Sequence, residues 1–278
     1  MKIIKCGIIT AVLFLKIPAN GQTGKPDVEM ILENLYERII NTKDDTEKLR
    51  LNDSVRLVIG TYAASDSVFK HRFTNLRHLG QIESPDSRLK IITWNLFLRK
   101  SPNRYFCYMV RKGEKSKGNL VYVLTGQNRE EAVRTDITYT ANNWYGALYY
   151  TIQPFKKDRK VYYILLGLDF GNLLISRKII DVLDFTSAGE LVFGKDCFTK
   201  GQETKFREVL EYSADGMVTL RFNNRKLIVF DQLASYTTGH EDGSAQYGAG
   251  FSFDGYILKR GEWRFVSDVD VKNEKEGF

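Results

Sequence analysis

His240, Glu241 and Asp242 stand side by side in a glycine-rich, aperiodic stretch, Leu233 to Gly250, which also carries Tyr236, Thr237, Thr238, Ser244 and Tyr247. A loop of that length in a compact domain serves either function or motion. A carboxylate next to an imidazole raises its pKa into the range where acid–base catalysis works, so a hydrolase would keep its proton-transfer groups here. Adjacent residues rarely converge on one substrate atom, however, and a solvated surface loop has the same composition. His71 and His78 lie seven residues apart with no cysteine near, which is not zinc-ligand spacing. Asp268 and Asp270, followed by Asn273 and Glu274, offer oxygen ligands without the glycine-centred loop that a calcium site needs. Asp169-Phe170-Gly171 spells the metal-binding triplet of kinases, but no phosphate-cradling loop accompanies it, so it reads as a turn. No nucleophile elbow, metalloprotease helix or dinucleotide fingerprint occurs. The expectation is a binder rather than an enzyme, with no metal and no cofactor.

Two groups of residues have types suited to binding. Trp144, Tyr145, Tyr149 and Tyr150 crowd one segment beside Asn142 and Asn143. An aromatic platform with amide neighbours suits a sugar, which has an apolar face to stack and hydroxyls to satisfy; the same residues also fill β cores. The second group is basic: Arg111, Lys112, Lys115 and Lys117 in one turn, and Lys156, Lys157, Arg159 and Lys160 in another. If both turns emerge from one end of a sheet they form a cationic rim that attracts anionic glycans or lipid head groups. Lysine in exposed turns otherwise gives only solubility and protection of strand edges. The candidate binding residues are therefore Trp144, Tyr145, Lys115, Lys117, Lys156 and Lys157.

The elements that must position these groups fall into two kinds. Val28, Ile31, Leu32, Leu35 and Ile39 recur at three-and-four spacing behind Pro26 and Asp27, and Leu51, Val55, Val58, Ile59 and Tyr62 repeat the stripe after a capping stretch at Asn41 to Asp45. This predicts an antiparallel helix pair. From His78 onward the period becomes alternating, with turns every ten residues or so. Eleven strands are predicted: Leu89 to Asn95, Arg104 to Arg111, Leu120 to Thr125, Trp144 to Gln153, Lys160 to Leu166, Lys178 to Phe185, Phe206 to Tyr212, Met217 to Phe222, Leu227 to Phe230, Gly255 to Lys259 and Trp263 to Val266. Tight turns between them exclude an α/β plan. Arg104 to Gly126 and Tyr145 to Gly167 also align without a gap at an offset of 41, near the length of a propeller blade. The fold class is thus mostly β: an antiparallel meander (curled sheet, sandwich or propeller-like) behind an N-terminal helix pair.

The first residues bear on compartment. Lys2 and Lys5, an apolar Gly7 to Leu15 and small residues at Ala19-Asn20-Gly21 read as a secretory signal, residues 1–21, with Gln22 as the first mature residue. A helical pair (22–75) and an antiparallel β domain packed with it (76–278) follow, and no later segment is apolar enough to cross a bilayer. The formal charge of +7 includes Lys2, Lys5 and Lys16 and the leader holds no acid, which leaves +4, too little to argue for nucleic acid. An oxidising compartment permits Cys107 and Cys197 to pair, while two buried free thiols are the simpler reading.

Ala19-Asn20-Gly21 before Gln22, Ser84-Pro85-Asp86 through Thr93-Trp94-Asn95, Lys160 to Gly167, Leu227 to Leu233, Ser252 to Tyr256 and Gly261-Glu262-Trp263 together make the chain resemble a group of uncharacterised exported proteins of Bacteroidota. The resemblance implies export and an all-β domain but brings no activity. Within it, Ser87 occupies a turn position where glycine is more comfortable. The sequence thus leads to a periplasmic or cell-surface, non-catalytic β protein that binds a glycan, lipid or protein partner of the envelope. A periplasmic hydrolase with its site in the 233–250 loop and a structural subunit of an envelope assembly are the alternatives.

Overall fold

A computed structural model describes residues 27–113, 118–127, 133–172, 174–237 and 245–271. Helices α1 (Val28–Asn41) and α2 (Asp45–Ala64) begin at Asp27 and Asp44, whose carboxylates accept from the main-chain N–H of Glu29 and Thr46. Leu32, Leu35, Tyr36 and Ile39 of α1 meet Leu51, Val55 and Ile59 of α2 in one apolar cluster, as the two stripes require.

Three antiparallel sheets follow. The first holds β1 (Gly80–Glu83), β2 (Leu89–Leu96), β3 (Arg104–Arg111) and β4 (Leu120–Gln127) in chain order. The second is built from β5 (Tyr139–Thr140), β6 (Leu148–Lys157), β7 (Lys160–Asp169), β8 (Ile175–Phe185) and β9 (Leu191–Phe193), in the order β5-β9-β8-β7-β6. The third contains β10 (Phe198–Lys200) and β11 (Glu203–Lys205); β12 (Glu208–Ser213) returns to pair with β8 before the third sheet is completed by β13 (Leu220–Asn224), β14 (Leu227–Thr237), β15 (Ala245–Lys259) and β16 (Glu262–Val266). The short pairing of β10 with β16 is parallel.

Core composition shows how the sheets are layered. Ile92, Trp94, Phe106 and Tyr108 on one face of the first sheet pack against the helices, and Ile91, Tyr105, Cys107 and Met109 on its other face pack against Tyr149, Leu165 and Ile179 of the second. Ile164, Leu166, Ile180 and Val182, on the far face of the second sheet, meet Phe198, Ile228, Phe230 and Trp263 of the third. The order is helix pair, sheet, sheet, sheet. Strands of the two inner sheets must be apolar on both faces, which is why β2, β3, β7 and β8 run through almost unbroken buried stretches. Each large apolar side chain buried there contributes about 1.5–3 kcal/mol before chain entropy is set against it. Polar ties help fix the helix layer: Trp94 Nε1 donates to Asn52 Oδ1 at 2.8 Å, the Tyr108 hydroxyl donates to the Arg56 carbonyl at 3.0 Å, and the buried Lys90 ammonium donates to the Tyr62 hydroxyl and the carbonyls of Val68 and His71.

This layering is a stacked-sheet arrangement. The helices cover the outer face of the first sheet, and the two repeated hairpins, β3–β4 and β6–β7, lie in different sheets rather than side by side in one. Two expectations need correction. Trp144 to Gln153 is not one strand: β6 starts at Leu148, and Trp144 and Tyr145 precede it in a coil that turns at Gly146, φ +92°. Nor is Leu233 to Gly250 a long loop, because β14 runs on to Thr237 and β15 begins at Ala245. Glycine misled here. A Cβ at Gly250 would sit 2.8 Å from the Gln232 carbonyl, next to the register shift between Asp231 and Leu233, so glycine serves a close strand approach. No helix among the described residues is long and apolar enough to cross a membrane.

Candidate functional site

At one end of the interface between the first two sheets, four strand ends surround a cleft of about 600 Å³. The β1–β2 turn and the start of β2 supply Arg88, the end of β3 supplies Arg111 and Lys112, the start of β7 supplies Lys160 and Tyr163, and the end of β8 supplies Asp184 and Phe185. A volume of this size is in the range of small-molecule sites.

Local chemistry sets each of these groups. In the first turn Ser84 Oγ accepts from the N–H of Leu89 at 3.0 Å and donates to Asp86 Oδ1, while Ser87 takes φ +53°, the left-handed conformation expected of glycine. The Arg88 carbonyl accepts from the Lys112 N–H at 2.8 Å, which clips the turn to the end of β3. On the second sheet, β6 and β7 join through Asp158 and Arg159, both at positive φ (50° and 62°), the two-residue hairpin geometry that matches strand twist. Lys160, just past that turn, donates from Nζ to Asp184 Oδ2 at 2.6 Å and to the Phe185 carbonyl at 3.0 Å. The Arg111 guanidinium lies 4.7 Å from the centre of the Phe185 ring, whose neighbour on the first sheet is Tyr122 at 5.8 Å. Tyr122 in turn donates its hydroxyl to the Gly189 carbonyl at 2.7 Å, tying the two walls together.

Charge in the cleft is unbalanced. Among the described residues, Arg88, Arg111 and Lys160 line it with a single carboxylate, Asp184, which Lys160 already engages; the Lys112 ammonium lies instead over the Phe69 ring, 5.5 Å from its centre, on the helix side of the first sheet. Among the described residues neither Arg88 nor Arg111 forms an ion pair. At the floor, Tyr163 donates to Asp86 Oδ2 at 2.8 Å. Burial and the bond to Asp86 push the Tyr163 hydroxyl up, so it remains a donor. Burial would also raise Asp86, but the Ser84 and Tyr163 hydroxyls and the Arg88 N–H outweigh that and hold its carboxyl below the usual range. Asp86 is thus held as an ionised acceptor, and Asp184 accepts from Lys160 and from the N–H of Phe185.

The sequence-predicted residues divide sharply. The two basic turns do converge: Arg111 from one and Lys160 from the other line the same cleft, and Lys156 lines the space adjoining it, while Lys112 turns its ammonium to Phe69 on the helix side. Lys157, one residue along the pleat, points to the opposite side, where it packs on Gly261 and donates to the Asp196 carbonyl. Lys115 and Lys117, and the triplet His240, Glu241 and Asp242, lie outside the described residues. Trp144 and Tyr145 are 1% and 5% exposed, so their rings offer no platform to a ligand. They belong to a buried polar network. Trp144 Nε1 donates to the Tyr149 hydroxyl at 3.0 Å, Tyr145 donates to Asp181 Oδ2 at 2.7 Å, and Arg207 reaches the same oxygen at 3.1 Å while its other nitrogens satisfy the carbonyls of Arg134, Ile137 and Phe193. Asp169 of the Asp-Phe-Gly turn is structural as well, accepting from Tyr105 and pairing with Arg177. Cys107 and Cys197 are free and buried, one in the core between the first two sheets and one between the second and third.

Arg88, Tyr163, Asp184 and Phe185 are the residues that sequence reasoning missed. The Ser84-Pro85-Asp86 turn did mark Arg88, but nothing in the sequence placed that turn against the end of β8. No protein-family model matches the chain, and neither curated proteins nor solved structures give a match.

Proposed function

We propose that this is an exported, non-catalytic envelope protein that captures an anionic envelope component in the cleft between its first two sheets. The observation that carries the reading is the convergence of the basic ends of both repeated hairpins, together with Arg88, on one concave site whose only lining carboxylate among the described residues is already paired. Low-dielectric walls focus the field of such a cluster and make it far stronger than a net charge of +4 would suggest. Guanidinium groups suit the purpose because their planar donors engage carboxylate, sulfate or phosphate two bonds at a time. Export rests on the leader pattern at residues 1–21 and on the resemblance to exported proteins.

Dextran sulfate, with neutral dextran as the control, tests the reading by calorimetry at low salt. The mature protein should bind the sulfated polymer alone, with affinity falling steeply as salt rises, and Arg88→Glu with Arg111→Glu should abolish binding while leaving thermal unfolding unchanged. Equal binding by the double variant would overturn it.

A further inference from the structure

The cleft does not end at Arg88. A second hollow of about 390 Å³ adjoins it, sharing Arg88 and Val161 and continuing along Asp86, Pro154 and Lys156. The two form one groove with cations at intervals: Arg111 at one end, Arg88 at the junction and Lys156 at the other end. Between them stand oxygen acceptors. Asp86 and Asp184 each take donors from the protein, yet a carboxylate has room for about four, so both retain capacity for hydroxyl groups.

Resting on the anion-binding reading above, we propose that the groove holds a linear acidic glycan of the uronate type, several sugars long, across both hollows. Spaced cations meet its repeated carboxylates, Asp86 and Asp184 accept from its hydroxyls, and the Pro154–Val161 surface takes an apolar ring face. An acidic peptide fits less well, because its side chains bring carboxylates and no hydroxyl donors to Asp86 and Asp184. A lipid surface fits less well too: Val161, 37% exposed, is the one large apolar side chain among the described lining residues that stands out into solvent, and bilayer contact needs a protruding apolar group of several.

Galacturonate, hexagalacturonate, hexaglutamate and phosphatidylglycerol vesicles, titrated into the full mature protein at low salt, separate these cases, with dextran sulfate as the reference for anion binding. The hexasaccharide should bind at least about tenfold more tightly than the monosaccharide, because linked units engage both hollows at once. Lys156→Glu should cost the hexasaccharide more than the monosaccharide. Equal affinity for the two sugars, or equal losses in Lys156→Glu, would overturn the extended site while dextran sulfate binding keeps the anion reading intact. Hexaglutamate or vesicles binding as tightly as the hexasaccharide would overturn the glycan assignment. Failure of every anion, dextran sulfate included, would remove the underlying reading itself.

Discussion

The main-chain N–H of Lys112 donates to the carbonyl of Arg88 across 2.8 Å, so the β1–β2 turn and the end of β3 deliver Arg88 and Arg111 to the cleft as one unit. The opposite wall is fixed as firmly by Lys160, which spans from β7 to Asp184 and Phe185 of β8. Cations held by strand ends lose little freedom when a ligand arrives, which favours binding over mere solvation.

The Arg111–Phe185 contact gives a graded prediction. Phe185→Leu removes the aromatic face under the guanidinium, so Arg111 keeps its charge but loses its placement. Anion affinity should fall by roughly threefold to tenfold, the scale of a part-exposed cation–π contact, whereas Arg111→Ala should cost more. Calorimetric titration with dextran sulfate checks both.

The Asp181–Arg207 pair predicts stability effects without binding effects. Both side chains are fully buried, and removing one partner strands the other. Arg207→Met or Asp181→Asn should lower stability by about 3–5 kcal/mol in urea unfolding, and Tyr145→Phe by about 1–3 kcal/mol because it takes a donor from Asp181. None should alter anion affinity in protein that remains folded. A selective loss of binding in Tyr145→Phe would return Tyr145 to the site.

Asp86 predicts an acid limit. Its carboxyl is held below the ordinary range in the folded protein, so its ionised form favours the fold. That contribution is present above the unfolded value of about 4 and is lost as pH falls through the depressed folded value. The stability gap between wild type and Asp86→Asn should therefore be flat from pH 5 to 7, as an order-of-magnitude window, and shrink below about pH 4. Urea unfolding across that range measures it; a gap that widens on acidification would contradict the assignment.

How far the sequence led is visible in particular elements. Arg104–Arg111 was legible to the residue because its unbroken aromatic and apolar run is bounded by turn residues on both sides. Both helices, and the capping stretch that holds Asp44 before α2, were legible for the same kind of reason, local pattern plus local chemistry, whereas Asp27 reads only as an acid at the start of α1 and serves as its cap. Ser87 at positive φ was legible as a turn position wanting glycine. Trp144 and Tyr145 were not, since an aromatic pair reads alike on a strand, a platform or a buried coil, and only the approach of Gly126 to Gly146 decides among them. The site was half legible. Each basic turn stood out alone, but Arg88, Arg111, Lys160 and Asp184 come from four separate strand ends, and the stacking of two sheets that joins them leaves no periodic trace.

Compartment and thiols can be checked together on protein from its native host. The leader pattern predicts a mature chain that begins at or near Gln22, read by mass spectrometry. Burial pushes the Cys107 thiol well above its usual range and Cys197 up to about 12. Neither should react with a thiol reagent in the folded protein, and both should react after unfolding without reductant. An intact Met1, or a mass showing a Cys107–Cys197 bridge, would contradict this.

The location of the bound anion is the central claim, and hydrogen exchange read by mass spectrometry tests it most directly. With saturating dextran sulfate, protection should increase in the segments around Arg88, Lys112, Lys160 and Phe185 and remain unchanged in the β14–β15 hairpin and the helix pair. Saturable binding with protection confined to those other elements, and none at the four strand ends, would contradict the account.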